Sequence, residues 1–300
     1  MRKVLKWLGI VLGLLVGLIV LAGIVLNIMV GAQLDRTYAV PEEAITVPDD
    51  EASIARGQHL VTAFNGCADC HGEDLGGGVI FENPALALIY APNLTSGRGG
   101  IGDRSSEELV RAIRYGVDQD GRSLLVMPSK DFYYLSNEDL GAIVAYIQRV
   151  PPVDKEAPET SLTFLGRVLV GLGAFGELRS AELIDYGVPR SPMPPPGATV
   201  EYGGYLVAIS GCRGCHGEEL SGGRGPDPGA PPSPNLTPGG ALAEWSEEDF
   251  IATIRTGTTP EGEEIDSAFM PWRVYARATD DELRAIWLYL QTLPPVKPEN

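Results

Sequence analysis

Cys67-Ala68-Asp69-Cys70-His71 and Cys212-Arg213-Gly214-Cys215-His216 are two copies of one pattern. In each, two thiols share a helical turn and an imidazole follows. That spacing lets both thiols form thioethers to the vinyl groups of one haem while the next residue offers its imidazole to the iron. All four cysteines of the chain, Cys67, Cys70, Cys212 and Cys215, are used in these motifs. Zinc bound by two CxxC pairs is the competing chemistry, but it would not require a histidine after each pair. Two covalent haems are therefore the expected cofactors. Attachment of this kind implies assembly outside the cytoplasm.

His71 and His216 each supply one axial ligand, and the second decides between electron transfer and chemistry on a small molecule. Met127 lies 56 residues after His71, and Met270 lies 54 after His216. Each precedes a proline and the last predicted helix of its repeat. A thioether is a soft, neutral ligand that favours ferrous iron and raises the potential. Methionine also fills cores, but the equivalent placement in both repeats points to ligation. Met1 and Met29 fall in or beside an apolar N-terminal segment, and Met193 sits in a proline-rich connection with no counterpart. His59 stands where the second repeat has Tyr205, which suggests packing rather than iron.

The elements that must position these groups are duplicated. Gly57-Gln58-His59-Leu60-Val61 matches Gly203-Gly204-Tyr205-Leu206-Val207, and Pro92-Asn93-Leu94-Thr95 matches Pro234-Asn235-Leu236-Thr237. Ile113-Arg114-Tyr115-Gly116 matches Ile254-Arg255-Thr256-Gly257, and both repeats close on Pro-Pro-Val. Leu60 to Cys67 can begin as a helix leading into the first haem motif. Ser105, Ser136, Ser246 and Thr279 each stand three residues ahead of Glu or Asp and before apolar residues at helical spacing, so they predict helix N-termini. Pro151 and Pro294 end the last helix of each repeat. Gly76 to Gly78 and Gly222 to Pro234 read as loops around a porphyrin. A repeat this small has little core of its own, and a covalent haem acts as its staple.

Trp7 to Val30 is almost continuously apolar, with Asn27 its strongly polar member. At 1.5 Å per residue it reaches about 36 Å, enough to cross a ~30 Å hydrocarbon core. Arg2, Lys3 and Lys6 precede it and place the N-terminus on the cytoplasmic side. A cleaved signal peptide would have a shorter apolar core and a small-x-small site, for which Ile28 to Gln33 is a poor match. Gly9, Gly13 and Gly17 form a stripe that lets another helix approach closely. The formal charge is −17; residues 1–33 carry +3, leaving −20 on the rest. That balance argues against a nucleic-acid partner.

The domain assignment is an N-terminal transmembrane anchor over 1–33, haem domains over 50–153 and 199–296, and a linker over 154–198. Pro192 to Gly197 is an extended, stiff part of that linker. Leu162 to Leu178 is apolar but short and interrupted by Arg167 and Glu177. It suggests a helix between domains or at the membrane surface.

Both repeats resemble class I cytochrome c domains, with CxxCH near the start and a Met-Pro loop before a C-terminal helix. The finer pattern CHG…PNLT…WSxxDF…IRxG…MPW…LP is similar to the multihaem cytochrome c subunits of membrane-bound alcohol and gluconate dehydrogenases. The second repeat carries the fuller match, with Trp245 and Phe250; the first has Arg104 and Leu109. Those subunits usually hold three haem domains. Two domains behind an anchor also resemble the two-haem subunit of cbb-type oxidases. The resemblance implies an all-α fold. It implies that Asn93 and Asn235 line the haem crevices and that Arg114 and Arg255 meet propionates. Pro92 and Pro234 are among several prolines able to offer a carbonyl to the ligating histidines.

The expected function is electron transfer, with each iron held by His71 and Met127 or by His216 and Met270. The domains would stand on the periplasmic face of the cytoplasmic membrane. The carrier would pass single electrons between a quinol- or substrate-oxidising complex and a downstream acceptor. The alternatives are a two-haem peroxidase type of enzyme, which needs an open sixth position, and a redox-sensing subunit. A cysteine-ligated thiosulfate-type enzyme is excluded, because no cysteine is left over.

Overall fold

The computed structural model describes residues 2–190, 192–224 and 230–297. Part of the expected Gly222 to Pro234 loop, residues 225–229, lies outside them. Helix α1 (Arg2–Leu34) leads the chain, and it is the one helix among the described residues long and apolar enough to cross a membrane. Gly9, Gly13 and Gly17 face open space, so the chain itself does not cover that stripe.

The first repeat contains α2 (Glu51–Ala63), α3 (Cys67–His71), α4 (Ser106–Tyr115), α5 (Ser129–Phe132) and α6 (Asn137–Ile147). The expected start at Leu60 falls late. Asp50 caps α2 by accepting from the Ser53 N–H at 2.9 Å, so the helix begins a full turn and more earlier. Ser105 caps α4 with a reciprocal bond from Glu108, and Ser136 caps α6. After the linker the second repeat runs α8 (Val200–Ile209), α9 (Cys212–His216), α10 (Glu247–Thr256), α11 (Trp272–Tyr275) and α12 (Asp280–Gln291). Ser246 and Thr279 form capping boxes there with Asp249 and Glu282.

The all-α expectation needs correction, because short strands accompany the helices. β1 (Gly78–Asn83) and β2 (Ala87–Ala91) make an antiparallel hairpin, joined by β3 (Ser161–Leu162) in the order β1-β2-β3. A second pair, β4 (Gly223–Arg224) and β5 (Pro232–Ser233), occupies the equivalent place in the other repeat. Val79, Ile80 and Phe81 are β-branched or aromatic, and Asn83 turns the chain by accepting from the Ala85 N–H at 3.0 Å. That run follows Gly76 to Gly78, which read as part of a loop.

In each repeat the first and last helices cross at a glycine. A Cβ on Gly57 would overlap the Ala142 carbonyl of α6, and one on Gly203 would overlap the Ala285 carbonyl of α12. Only glycine lets these backbones meet. The crossings gather Leu60, Val61, Leu140 and Val144 in one repeat and Leu206, Val207, Leu283 and Leu290 in the other, all essentially buried. One apolar cluster runs through both repeats.

The repeats meet through a reciprocal set of charged contacts. His59 of α2 reaches Glu282 of α12, with Nε2 to Oε2 2.8 Å. Tyr205 of α8 reaches back to Asp139 of α6, donating from its hydroxyl at 2.7 Å. Within the repeats, Arg56 clasps Asp139 with two bonds of 2.9 Å, and Tyr202 donates to Glu282 at 3.3 Å. Arg56 also extends to Glu282 at 3.3 Å. His59 is thus a packing residue at the seam.

The linker is packed rather than loose. Helix α7 (Phe164–Gly171) lies against α1, and a Ser180–Leu183 turn packs Ala181 and Ile184 on Tyr115 and Tyr133. Glu43 binds Arg114, Arg190 and Tyr115 together, tying the chain after α1 to the first repeat and to the linker's end.

Candidate haem sites

Each CxxCH motif occupies a five-residue helix, α3 or α9, entered through a glycine in the left-handed region, Gly66 at φ 55° and Gly211 at φ 72°. Residues three apart on such a turn share a face. Cys67 therefore lies beside Cys70, and Cys212 beside Cys215.

The histidines that follow are both 7% exposed. His71 Nδ1 lies 2.8 Å from the Pro92 carbonyl, and His216 Nδ1 lies 2.8 Å from that of Pro234. A carbonyl can only accept, so Nδ1 carries the proton and Nε2 keeps its lone pair. Burial pushes both imidazoles below their ordinary range and outweighs the carbonyl bond. The rings are thus neutral, which is the form that binds a metal.

The proline carbonyls are aimed by a backbone clasp repeated in both units. The Leu94 N–H donates to the Leu75 carbonyl at 2.8 Å, and Leu236 donates to Leu220 at 2.8 Å. Leu75 and Leu220 take the left-handed conformation at φ 55° and 57°. Gly77 and Gly222 close the return on His71 O and His216 O at 2.7 and 2.9 Å.

These sites fit thioether-bound haem better than zinc. Burial, with the neighbouring Cys70, pushes the Cys67 thiol up to about 12; burial, with Asp131, does the same to Cys212. Such buried surroundings suit the neutral sulfur of a thioether. Among the described residues no three His, Cys, Asp or Glu side chains converge as a metal cluster would require.

Met127 and Met270 sit half-buried against the core, each in the loop before the one-turn helices α5 and α11. Val126, just ahead of Met127, is held at φ 66°, an unusual conformation for a β-branched residue. Its N–H donates to Leu178 of the linker at 2.9 Å. In the second repeat the corresponding loop folds on itself, and Trp272 donates to the Ile265 carbonyl at 3.0 Å.

The side chains expected around the porphyrin have other partners. Arg114 is fully buried; it binds Glu43, Asn137 at 2.9 Å and the carbonyls of Leu135 and Ser136 at 2.6 and 3.2 Å. Arg255 binds the Ala276 carbonyl and Asp280 at 2.7 Å. With these donors both arginines staple their helix to the start of the last one. Asn93 and Asn235 pin the closing Pro-Pro-Val segments, donating to Val153 O at 2.7 Å and Val296 O at 2.6 Å. Their side-chain oxygens accept from Thr95 and Thr237.

One close neighbour of the second site comes from the other repeat. The Asp131 carboxylate of α5 sits against Gly211, just ahead of Cys212, and is itself 9% exposed. Burial pushes it up to about 6, against the pull of Lys130. Proximity between repeats leaves no local signal in the sequence. The one trace is that Asp131 aligns with Val274, so the copies differ there.

Residues 54–151 match the cytochrome c family model, and residues 198–290 match that of cytochrome c oxidase, cbb3-type, subunit III. The chain is 30% identical over 284 residues to the fructose dehydrogenase cytochrome subunit of Gluconobacter japonicus, an overlap of 85% of this chain and 56% of that protein. It is 28% identical to the alcohol dehydrogenase (quinone) cytochrome c subunit of Gluconacetobacter polyoxogenes, over 84% of this chain and 58% of that one. It is 26% identical to a diheme cytochrome c-type protein of Cereibacter sphaeroides, over 92% and 98%. The chain thus spans a little over half the length of the first two relatives. Two matched models, each with a CxxCH helix near its start and a proline-held histidine, place the chain in the cytochrome c family, as a protein carrying two such domains in tandem.

Proposed function

We propose that this chain is a membrane-anchored, two-haem electron carrier, with His71 and Met127 as axial ligands in domain 50–153 and His216 and Met270 in domain 199–296. The observation that carries this reading is the repeated geometry at the two histidines. Each is buried, neutral and turned by a proline carbonyl so that Nε2 is available, and each is paired in sequence with a Met-Pro loop. Cys67, Cys70, Cys212 and Cys215 would hold the two groups covalently. A bound haem c supplies a reversible one-electron couple. The chain's own share is to fix the ligand rings, hold the methionine loops, exclude water and present a docking surface.

Helix α1 would hold the domains on the periplasmic face of the cytoplasmic membrane, with the Gly9, Gly13, Gly17 stripe open to a partner helix. Relatives named as cytochrome subunits of dehydrogenases support a partner oxidoreductase that delivers electrons to this chain. The test is the far-red ferric band of a thioether–iron bond. Met127→Ala and Met270→Ala should each remove about half of it and leave one site able to bind carbon monoxide when reduced. Met193→Ala should leave it intact; loss of the band in that variant would refute the ligand assignment.

A further inference from the structure

Helix α7 lies alongside the outer end of the apolar stretch of α1. Phe164 approaches Gly23, Gly171 fits against Leu26 and Val30, and Arg167 reaches Gly31. Val30 is 2% exposed as a result. From Gly23 to Val30 is about 10 Å along a helix axis. Phe164 therefore points down the anchor and Arg167 points toward its polar end.

The opposite face of α7 is apolar and uncovered. Leu165 and Leu172 share that face and are 47% and 66% exposed, Phe175 beyond the helix is 38% exposed, and Phe164, which touches Gly23 of α1, is still 56% exposed. Arg167 has no ion pair or hydrogen bond among the described residues, and its Nε is buried without a partner. Such a helix, with large apolar side chains below one unpaired guanidinium, suits a bilayer interface. Apolar faces there sit some 5–10 Å into the boundary between headgroups and acyl chains, and arginine extends to the phosphates.

The helix is also tied to the first haem domain at both ends. Thr163 donates to the Ala85 carbonyl at 2.7 Å and caps α7 itself. A Cβ on Gly166 would overlap the Leu86 carbonyl of the hairpin turn. Beyond the helix, Leu178 accepts from Val126, the residue before Met127.

We infer that α7 is a membrane-docking helix: with the outer turns of α1 it forms a platform whose apolar face enters the outer leaflet, whose Arg167 takes lipid phosphate, and which sets the first domain on the bilayer with its Met127 loop tied to that support. The inference rests on α1 being a membrane anchor. It commits to lipid as the occupant because the exposed face continues the lipid-facing surface of α1 at the same depth.

The test uses the full holoprotein in nanodiscs of phosphatidylcholine and phosphatidylglycerol, one copy per disc. Single cysteines are introduced by Leu165→Cys on α7, Leu15→Cys on the anchor and Glu159→Cys on the exposed linker, and are labelled with a charged maleimide. Positions 15 and 165 should react slower than 159 by about tenfold or more, the ratio set by withdrawing one apolar side chain from lipid. Adding Arg167→Glu should speed labelling at 165. Fast labelling at 165 with 15 still protected overturns the platform and leaves the anchor standing. Fast labelling at both removes the anchor reading and the platform with it. Protection at 165 that appears only in discs holding two copies assigns the face to a second chain and overturns the lipid proposal. An unchanged rate with Arg167→Glu overturns the phosphate contact.

Discussion

The His59 imidazole meets the Glu282 carboxylate at 2.8 Å across the boundary between the two haem domains, and Tyr205 meets Asp139 at 2.7 Å in the mirrored position. The matched acids are the N3 residues of α6 and α12, and each accepts from the neighbouring domain; Glu282 also accepts from the Thr279 N–H at the start of its own helix.

Acid should loosen this seam first. Burial tends to raise the Glu282 carboxyl, but the His59 bond, the Thr279 N–H and the charge of His59 outweigh it and hold it at about 2, against an ordinary 4.5. The folded value lies below the unfolded one, so the contribution is complete above about pH 4.5 and is lost as pH falls toward 2. Glu282→Gln should lower the urea midpoint at neutral pH by the equivalent of about 3 kcal/mol and flatten the acid limb. An acid limb unchanged by the substitution would show that the pair contributes nothing.

Asp131 should behave in the opposite sense. Its folded value, about 6, lies above the ordinary 3.8, so the native state favours the proton and the group costs stability as pH rises from about 4 to above 6. Asp131→Asn should therefore stabilise the holoprotein at pH 7, by up to about 3 kcal/mol. The gain should shrink to nothing below about pH 4. Thermal unfolding of both proteins across that range measures it.

The glycine crossings predict a different kind of failure. Gly57→Ala or Gly203→Ala pushes a methyl into a backbone carbonyl that cannot move without parting two helices. Each should abolish one domain's haem incorporation and halve the covalent haem per chain, read from the pyridine haemochrome against protein mass. Gly214→Ala, whose Cβ would meet only the Lys130 ammonium at 3.8 Å, should retain both.

Glu261, Glu263, Glu264 and Asp266 are exposed on the loop ahead of Met270, in a stretch where the first domain has a shorter connection. Carboxylates beside the methionine loop should steer a basic redox partner toward the second domain. Electron exchange with a small basic cytochrome should slow as salt rises, since screening cuts the field to about 8 Å at physiological ionic strength. Neutralising the four residues should flatten that dependence; a salt-independent rate in the native protein would leave the loop without a docking role.

The haem-bearing parts were legible because they are local. CxxCH and the capping boxes at Ser105, Ser246 and Thr279 each declare themselves within a few residues, and duplication doubled every signal. What the sequence hid depends on distant pairings. Arg114 aligns perfectly with Arg255 yet binds Glu43, a residue outside the repeat. Asn93 donates to Val153, a partner far along the chain that no local pattern announces. The β1–β2 hairpin was masked by glycines that read as loop, while its apolar run was too short to distinguish from helix.

The seam also makes the two halves non-interchangeable. A homodimer of one domain has an isologous interface, where each residue must suit its own copy. Two copies of the first half would bring together two arginines, two histidines and two aspartates; two copies of the second would face two glutamates with four tyrosines and no cation. The fused chain avoids both by setting Arg56 and His59 from one half against Glu282 from the other, and Tyr205 against Asp139. In one chain the seam thus has a direction that neither half could give when paired with its own copy.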